Sequence, residues 1–173
     1  MKTRHIFAAS SIILLASCAS APVEPVRATA QLQPTKGNNA TGEATFTEAG
    51  GKVHVVVAVR GLKPGTEHGF HIHEVGDCSS GDGMSTKGHF NPYGKAHAHA
   101  GTPERHAGDL PTLKAGADGS ARADVMLDVI TISPGPASIV GRGLIVHADP
   151  DDYKTQPTGN SGARIACGVI KAG

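Results

Sequence analysis

The sequence predicts an all-β domain, an antiparallel sandwich or barrel, and three observations lead there. No window of twelve or more residues carries an apolar stripe at 3.6-residue spacing without Gly or Pro interrupting it. Short β-rich runs recur along the chain, each closed by Gly, Pro or Asp. There are 23 Gly and 11 Pro in 173 residues, which implies many turns. Trp is absent and aromatics make up 3%, so the core has to be built mostly from Val, Ile, Leu and Ala. The length suits one domain. A formal net charge of +1 argues against a basic nucleic-acid surface or an acidic tail.

The first residues belong to targeting rather than to the fold. "MKTRHIFAASSIILLASCAS" has a basic start, a short apolar stretch and small residues before a cysteine, the pattern of a secretory signal over residues 1–17. That stretch is too short for a permanent membrane span. "LASC", Leu15 to Cys18, resembles the bacterial lipobox, in which the cysteine is lipidated and becomes the first mature residue. An ordinary signal cleaved near "ASA" is the alternative. Three cysteines leave one unpaired in an exported protein, and Cys18 sits at the processing site. Residues 18–27 then read as a lipidated, Pro-rich tether. The expectation is a folded domain over 28–173 on a protein lipid-anchored to a bacterial membrane.

Within that domain, "GEATFTE" and "KVHVVVAVRGL" are alternating runs joined by "AGG", a hairpin signal. "EHGFHIHE" follows the turn "KPGT", and "ARADVMLDV", "SIVGRGLIVHAD" and "ARIACGVIKA" complete the strand signals. Residues 75–120 and 148–162 break the rhythm as long, polar, Gly- and Pro-rich segments. Long structureless segments in a compact domain are functional or disordered. The first holds His89, His97, His99 and His106, which points to function.

Histidine is the compositional oddity, at ten residues. Side chains alternate along a strand, so His71 and His73 share one face while Phe70 and Ile72 face the core. Alone, an H-x-H pair is more often two exposed strand residues. "GHFNPYGKAHAHAGTPERHAGDL" changes the weighing, because it adds His89, His97, His99, His106 and Asp109. Imidazole and carboxylate ligands suit zinc. His147 follows on a late strand.

"GFHIHEVGDC", "GHFNP", "RHAGDL", "GRGLIVHADPDD" and "GNSGARIACGVI" resemble, in order and spacing, the signatures of copper,zinc superoxide dismutase. The likeness is to the exported, lipoprotein-type bacterial form and runs from about residue 28 to 171. It implies a Greek-key β-sandwich, or flattened barrel, with a metal-binding loop and an electrostatic loop. It implies one copper, held by His71, His73, His89 and His147, and one zinc, held by His89, His97, His106 and Asp109. His89 would bridge the two ions. Asp151 matches the outer carboxylate joining a copper ligand to a zinc ligand, and Arg164 the guanidinium that receives the anionic substrate. Arg164 and His89 would be the catalytic pair, and Cys78 and Cys167 match the intrasubunit disulfide.

Of His97 and His99, the family spacing of eight residues from the bridging histidine selects His97, although Ala98 follows it where the family commonly has glycine. His54 and His68 read as structural. Lys95 and Lys154 lie in the two long segments, where they would extend a positive field. The implied activity is disproportionation of superoxide to dioxygen and hydrogen peroxide. The implied location is the periplasm, on the outer membrane through Cys18, as monomer or homodimer. A copper or zinc buffer would use the same histidines but has no need of Arg164. A copper-only relative would lack His97, His106 and Asp109.

Overall fold

Small apolar residues alternating with polar ones form the first strand, β1 (Val26–Pro34), whose Ala28, Ala30 and Leu32 are buried while Arg27, Thr29 and Gln31 face out. The computed structural model describes residues 24–173, so the expected signal, Cys18 and the tether up to Val23 lie outside the described residues. β1 carries no strong strand signal, because its inward residues are mostly alanine. Its first two residues, Val26 and Arg27, pair with Glu48 and Thr47, within the stretch expected to be tether.

β2 (Thr41–Ala49) and β3 (Lys52–Arg60) form the expected hairpin. Its two-residue turn, Gly50–Gly51, has φ of 59° and 75°, the left-handed pair that matches the twist of adjoining strands. "EHGFHIHE" divides at Gly69 into β4 (Glu67–His68) and β5 (Phe70–His73). β4 pairs with β6 (Leu113–Lys114), so the segment 75–120 is not wholly without strand. Then come β7 (Ala121–Leu127), β8 (Gly143–His147), β9 (Arg164–Val169) and β10 (Lys171–Ala172). The one helical element among the described residues is a 3-10 turn at Met84–Thr86.

The main sheet is antiparallel, in the order β5–β8–β9–β1–β2–β3–β7, with β10 beside β1. The chain crosses from β3 to β5, back to β7, and over again to β8, and these crossings give the Greek-key connectivity. The sheet curls around a single core of Val53, Val55, Val57, Phe46, Leu32, Ile72, Leu144 and their neighbours.

β5 is buried on both faces. Phe70 and Ile72 enter the core, so His71 and His73 point the other way, towards the long loops. Those loops hang on the main chain of Ile72. Its N–H donates to the Gly108 carbonyl at 2.9 Å, and its carbonyl accepts from Phe90 N at 2.8 Å. His71 and His73 thereby face Asp109 and His89 across isolated antiparallel bridges.

Candidate metal centre

Two groups of side chains converge beneath these loops. In the first, His71, His73, His89 and His147 each offer a nitrogen, and in the second His89, His97, His106 and Asp109 each offer a ligand atom. Within each group the atoms lie within 4.8 Å of one another, and all seven residues are buried. His89 belongs to both.

Hydrogen bonds fix which ring nitrogen is available. His73 Nδ1 donates to the Lys87 carbonyl at 2.8 Å and His147 Nδ1 to the Gly162 carbonyl at 3.3 Å. Each neutral ring then has its lone pair on Nε2, and those two atoms face each other at 3.4 Å. His71 donates from Nε2 to Asp151 Oδ2 at 2.7 Å, leaving Nδ1 buried without a partner. His89 Nε2 is likewise buried and unpartnered. Facing lone pairs and orphaned nitrogens are costly in a dry interior unless a cation fills the space between them. Four imidazole donors suit copper.

In the second group, Asp109 Oδ1 lies 2.8, 3.0 and 3.4 Å from Nδ1 of His89, His97 and His106. Those separations approach the edge, roughly 3.3 Å, of a tetrahedron around an ion with zinc-like bonds to nitrogen. Asp109 Oδ2 is held by the N–H groups of Ala98 and His106 at 3.1 and 3.0 Å. Asp151 joins the two groups, because its Oδ1 accepts from His97 Nε2 at 2.9 Å while its Oδ2 accepts from His71. Such an outer carboxylate fixes both rings and raises their basicity as ligands.

Burial and charge set the protonation states of the metal-free site. Burial, reinforced by neighbouring imidazoles, holds His73 and His147 well below the ordinary histidine range. His71 is lowered too, burial outweighing Asp151 and Asp109. His89 is lowered to about 4, again mainly by burial. His97 goes the other way, to about 9, because its bonds to Asp109 and Asp151 overcome burial. Burial works to raise both carboxylates, yet hydrogen bonds from the histidines hold Asp109 and Asp151 below the usual range.

Arg164 pairs across the sheet with His147 and stands one carbonyl away from His73. Its Nη1 donates to Gly83 O at 2.6 Å and Thr86 Oγ1 at 2.8 Å, and its Nη2 to Lys87 O at 2.6 Å, the carbonyl that His73 also uses. Burial lowers its pKa. Cys78 and Cys167 form a disulfide, with 5.9 Å between their Cα atoms, which ties the 76–87 loop to β9.

A family model for copper/zinc superoxide dismutase matches residues 40–170. The chain belongs to the copper/zinc superoxide dismutase family. Among curated relatives, "Superoxide dismutase [Cu-Zn] 2" of Aquifex aeolicus (strain VF5) is 38% identical over 167 residues, covering 94% of this chain and 95% of the relative. Among solved structures, one titled as an analysis of the clock protein EA4 superposes with a TM-score of 0.77 at 42% identity, covering 88% of this chain and 98% of that one. Copper and zinc are the cofactors of this superoxide dismutase, and superoxide is its substrate.

The remaining expected residues fall as follows. His99 lies in neither group; it is exposed, its ring edge-on to Tyr153 at 4.6 Å. His68 is buried, donating from Nδ1 to the His147 carbonyl at 2.8 Å, while His54 pairs with Asp124 at 2.6 Å on the outer sheet face. Lys95 is bound to Glu104 at 2.5 Å, which offsets its charge, and Lys154 is exposed. Sequence reasoning missed Thr86, Lys87 and Gly162, two of which act through carbonyls that no side-chain pattern reveals. It also missed Gln156, whose amide bonds His97.

Proposed function

We propose that His71, His73, His89 and His147 hold copper, that His89, His97, His106 and Asp109 hold zinc, and that Arg164 receives superoxide. The observation that carries this reading is His89, whose Nε2 belongs to one donor group and whose Nδ1 to the other. Copper supplies one-electron exchange in both directions, and zinc a fixed divalent charge. The chain supplies the rest. Arg164 presents a guanidinium that stays charged at physiological pH, locked by three hydrogen bonds, so a small anion meets a fixed cation rather than a mobile one. His89 Nε2 is a buried nitrogen without a hydrogen-bond partner, placed where an imidazole could pass a proton to the peroxide product. Asp151 holds His71 and His97 by Nε2, so that Nδ1 of each ring is turned towards the donor groups.

The test is superoxide dismutation by the purified protein, with copper and zinc counted in the same sample. About one of each per chain with fast turnover supports the assignment; both metals without turnover removes Arg164 and His89 from their roles.

Export completes the proposal: residues 1–17 are a lipoprotein signal, 18–27 a tether lipidated at Cys18, and 28–173 the enzyme domain, working in the periplasm on the outer membrane. The basic, apolar and "LASC" order of the first eighteen residues supports it. A Cys18→Ala variant is expected to leave the membrane fraction; equal retention refutes the anchor.

A further inference from the structure

Gln156 is exposed, yet both ends of its amide pair with the main chain of a single residue. Its Oε1 accepts from His97 N–H at 2.8 Å, and its Nε2 donates to the His97 carbonyl at 2.8 Å. A neighbouring strand would make this pairing, but His97 lies in a stretch with no strand partner. A side chain supplies it instead.

Other contacts from the same loop converge on that point. Asp151 Oδ1 accepts from His97 Nε2 and, at 2.7 Å, from Tyr153 N–H. The Tyr153 hydroxyl bonds Thr112, and its ring meets His99, so this residue spans from the 148–162 loop to the metal-binding loop. Tyr153 does so at φ 58°, a conformation that bulky residues avoid and that persists only where its surroundings over-determine it. The returning chain passes this cluster at Gly159, where a Cβ would stand 1.9 Å from Asp151 Oδ1 and 2.6 Å from His97 Nε2.

We infer that Gln156, supported by Tyr153, is a positioning residue for zinc: it fixes the main chain of His97 and so sets His97 Nδ1 beside Asp109 before the ion arrives. The inference rests on the assignment of zinc to His97. Without the amide clamp, zinc binding has to order an otherwise unpaired stretch of loop, and that ordering is subtracted from its affinity. The terminal amide of glutamine suits this pairing, because it carries an acceptor and a donor side by side in one plane. Ala98, where the family commonly has glycine, lies directly beyond the clamped residue and donates to Asp109 Oδ2.

The experiment is chelator-competition titration of zinc into the metal-free protein and its Gln156→Met, Gln156→Glu and His97→Ala variants. Absorption of cobalt(II) in the same group reports its ligand geometry. Gln156→Met keeps the length and loses both bonds, so zinc affinity is expected to fall by about tenfold or more, the range for outer supports of metal ligands. The cobalt bands are expected to shift with it. Gln156→Glu retains the acceptor for His97 N–H and is expected to fall between Gln156→Met and the parent. The metal-free Gln156→Met variant is expected to melt at the parent's temperature, which separates positioning from a general loss of fold. Parental zinc affinity and cobalt bands in Gln156→Met, with zinc binding lost in His97→Ala, overturn the clamp and leave the zinc assignment standing. Parental zinc affinity in His97→Ala overturns the assignment and the clamp together.

Discussion

Replacing the bridged pair, in a Cys78→Ala/Cys167→Ala variant, removes a constraint on 89 residues of chain. In the chain-entropy model a closed loop of that length contributes about 4–5 kcal/mol at 25 °C. For a domain of this size each kcal/mol moves the melting temperature by about 2–4 °C, so the variant is expected to melt roughly 8–20 °C lower. Loss of the buried Cys167 sulfur acts in the same direction. The comparison belongs in the metal-free state, because bound ions would pin the same loops and mask the bridge. Scanning calorimetry with and without the pair gives the number. The bridge also ties down the loop that offers Gly83 O, Thr86 Oγ1 and Lys87 O to Arg164. Turnover per bound copper is therefore expected to fall in the metal-loaded variant. A melting temperature within 2 °C of the parent, or parental turnover per copper, refutes the corresponding half of the reasoning.

Arg164→Ala is expected to lower turnover by tenfold or more, about 1.4 kcal/mol, and to flatten its dependence on ionic strength in pulse-radiolysis assays. A near-parental rate with unchanged salt dependence refutes its role. At pH 7 the metal-free His97, raised to about 9, carries a proton that zinc must displace, so calorimetry in buffers of different ionisation enthalpy is expected to show about one proton released per zinc; heats independent of buffer count against it. The metal-free protein is expected to be most stable at about pH 7, just above the ordinary value for histidine, because four lowered histidines outnumber the one raised. As pH falls below that point the unfolded chain takes protons that folded His71, His73, His89 and His147 refuse, and stability drops. Above it, the stability owed to protonated His97 is lost as pH rises through about 9. Urea midpoints rising steadily from pH 4 to 9 would contradict this.

Much of the fold was legible because period-2 alternation is strong wherever the inward residues are large, as in "KVHVVVAVRGL" for β3. β1 escaped because alanine is a weak signal and a proline-rich stretch precedes it. β4 and β6 are two residues each, and tertiary pairing alone makes them strands. In the site, the residues of the two converging donor groups were all singled out by the sequence, since only a few side-chain types, imidazole and carboxylate among them, carry such donors. Lys87 and Gly162 were not, because a carbonyl comes with every residue type. Gln156 was hidden for a related reason: its role depends on where two distant loops meet, and its own neighbourhood, "YKTQPTG", reads as an ordinary polar loop.

The metal centre and the core share one four-residue strand, and this has an energetic consequence. Six imidazoles and two carboxylates are buried together, with His71 Nδ1 and His89 Nε2 left without hydrogen-bond partners. In the absence of cations that cluster opposes folding, because each unsatisfied buried polar group costs about 1–3 kcal/mol. Something other than the metals must hold it in place, and two sources do so from opposite sides. Phe70 and Ile72, at 2% and 0% exposure, anchor β5 in the core, and alternation then leaves His71 and His73 no other direction to face. The Cys78–Cys167 bridge restrains the far side of the site through β9 and the loop around Arg164. A cluster built this way is preorganised at the expense of the metal-free fold, and two ions bound there, as proposed, would return that stability by satisfying the nitrogens the core has forced together.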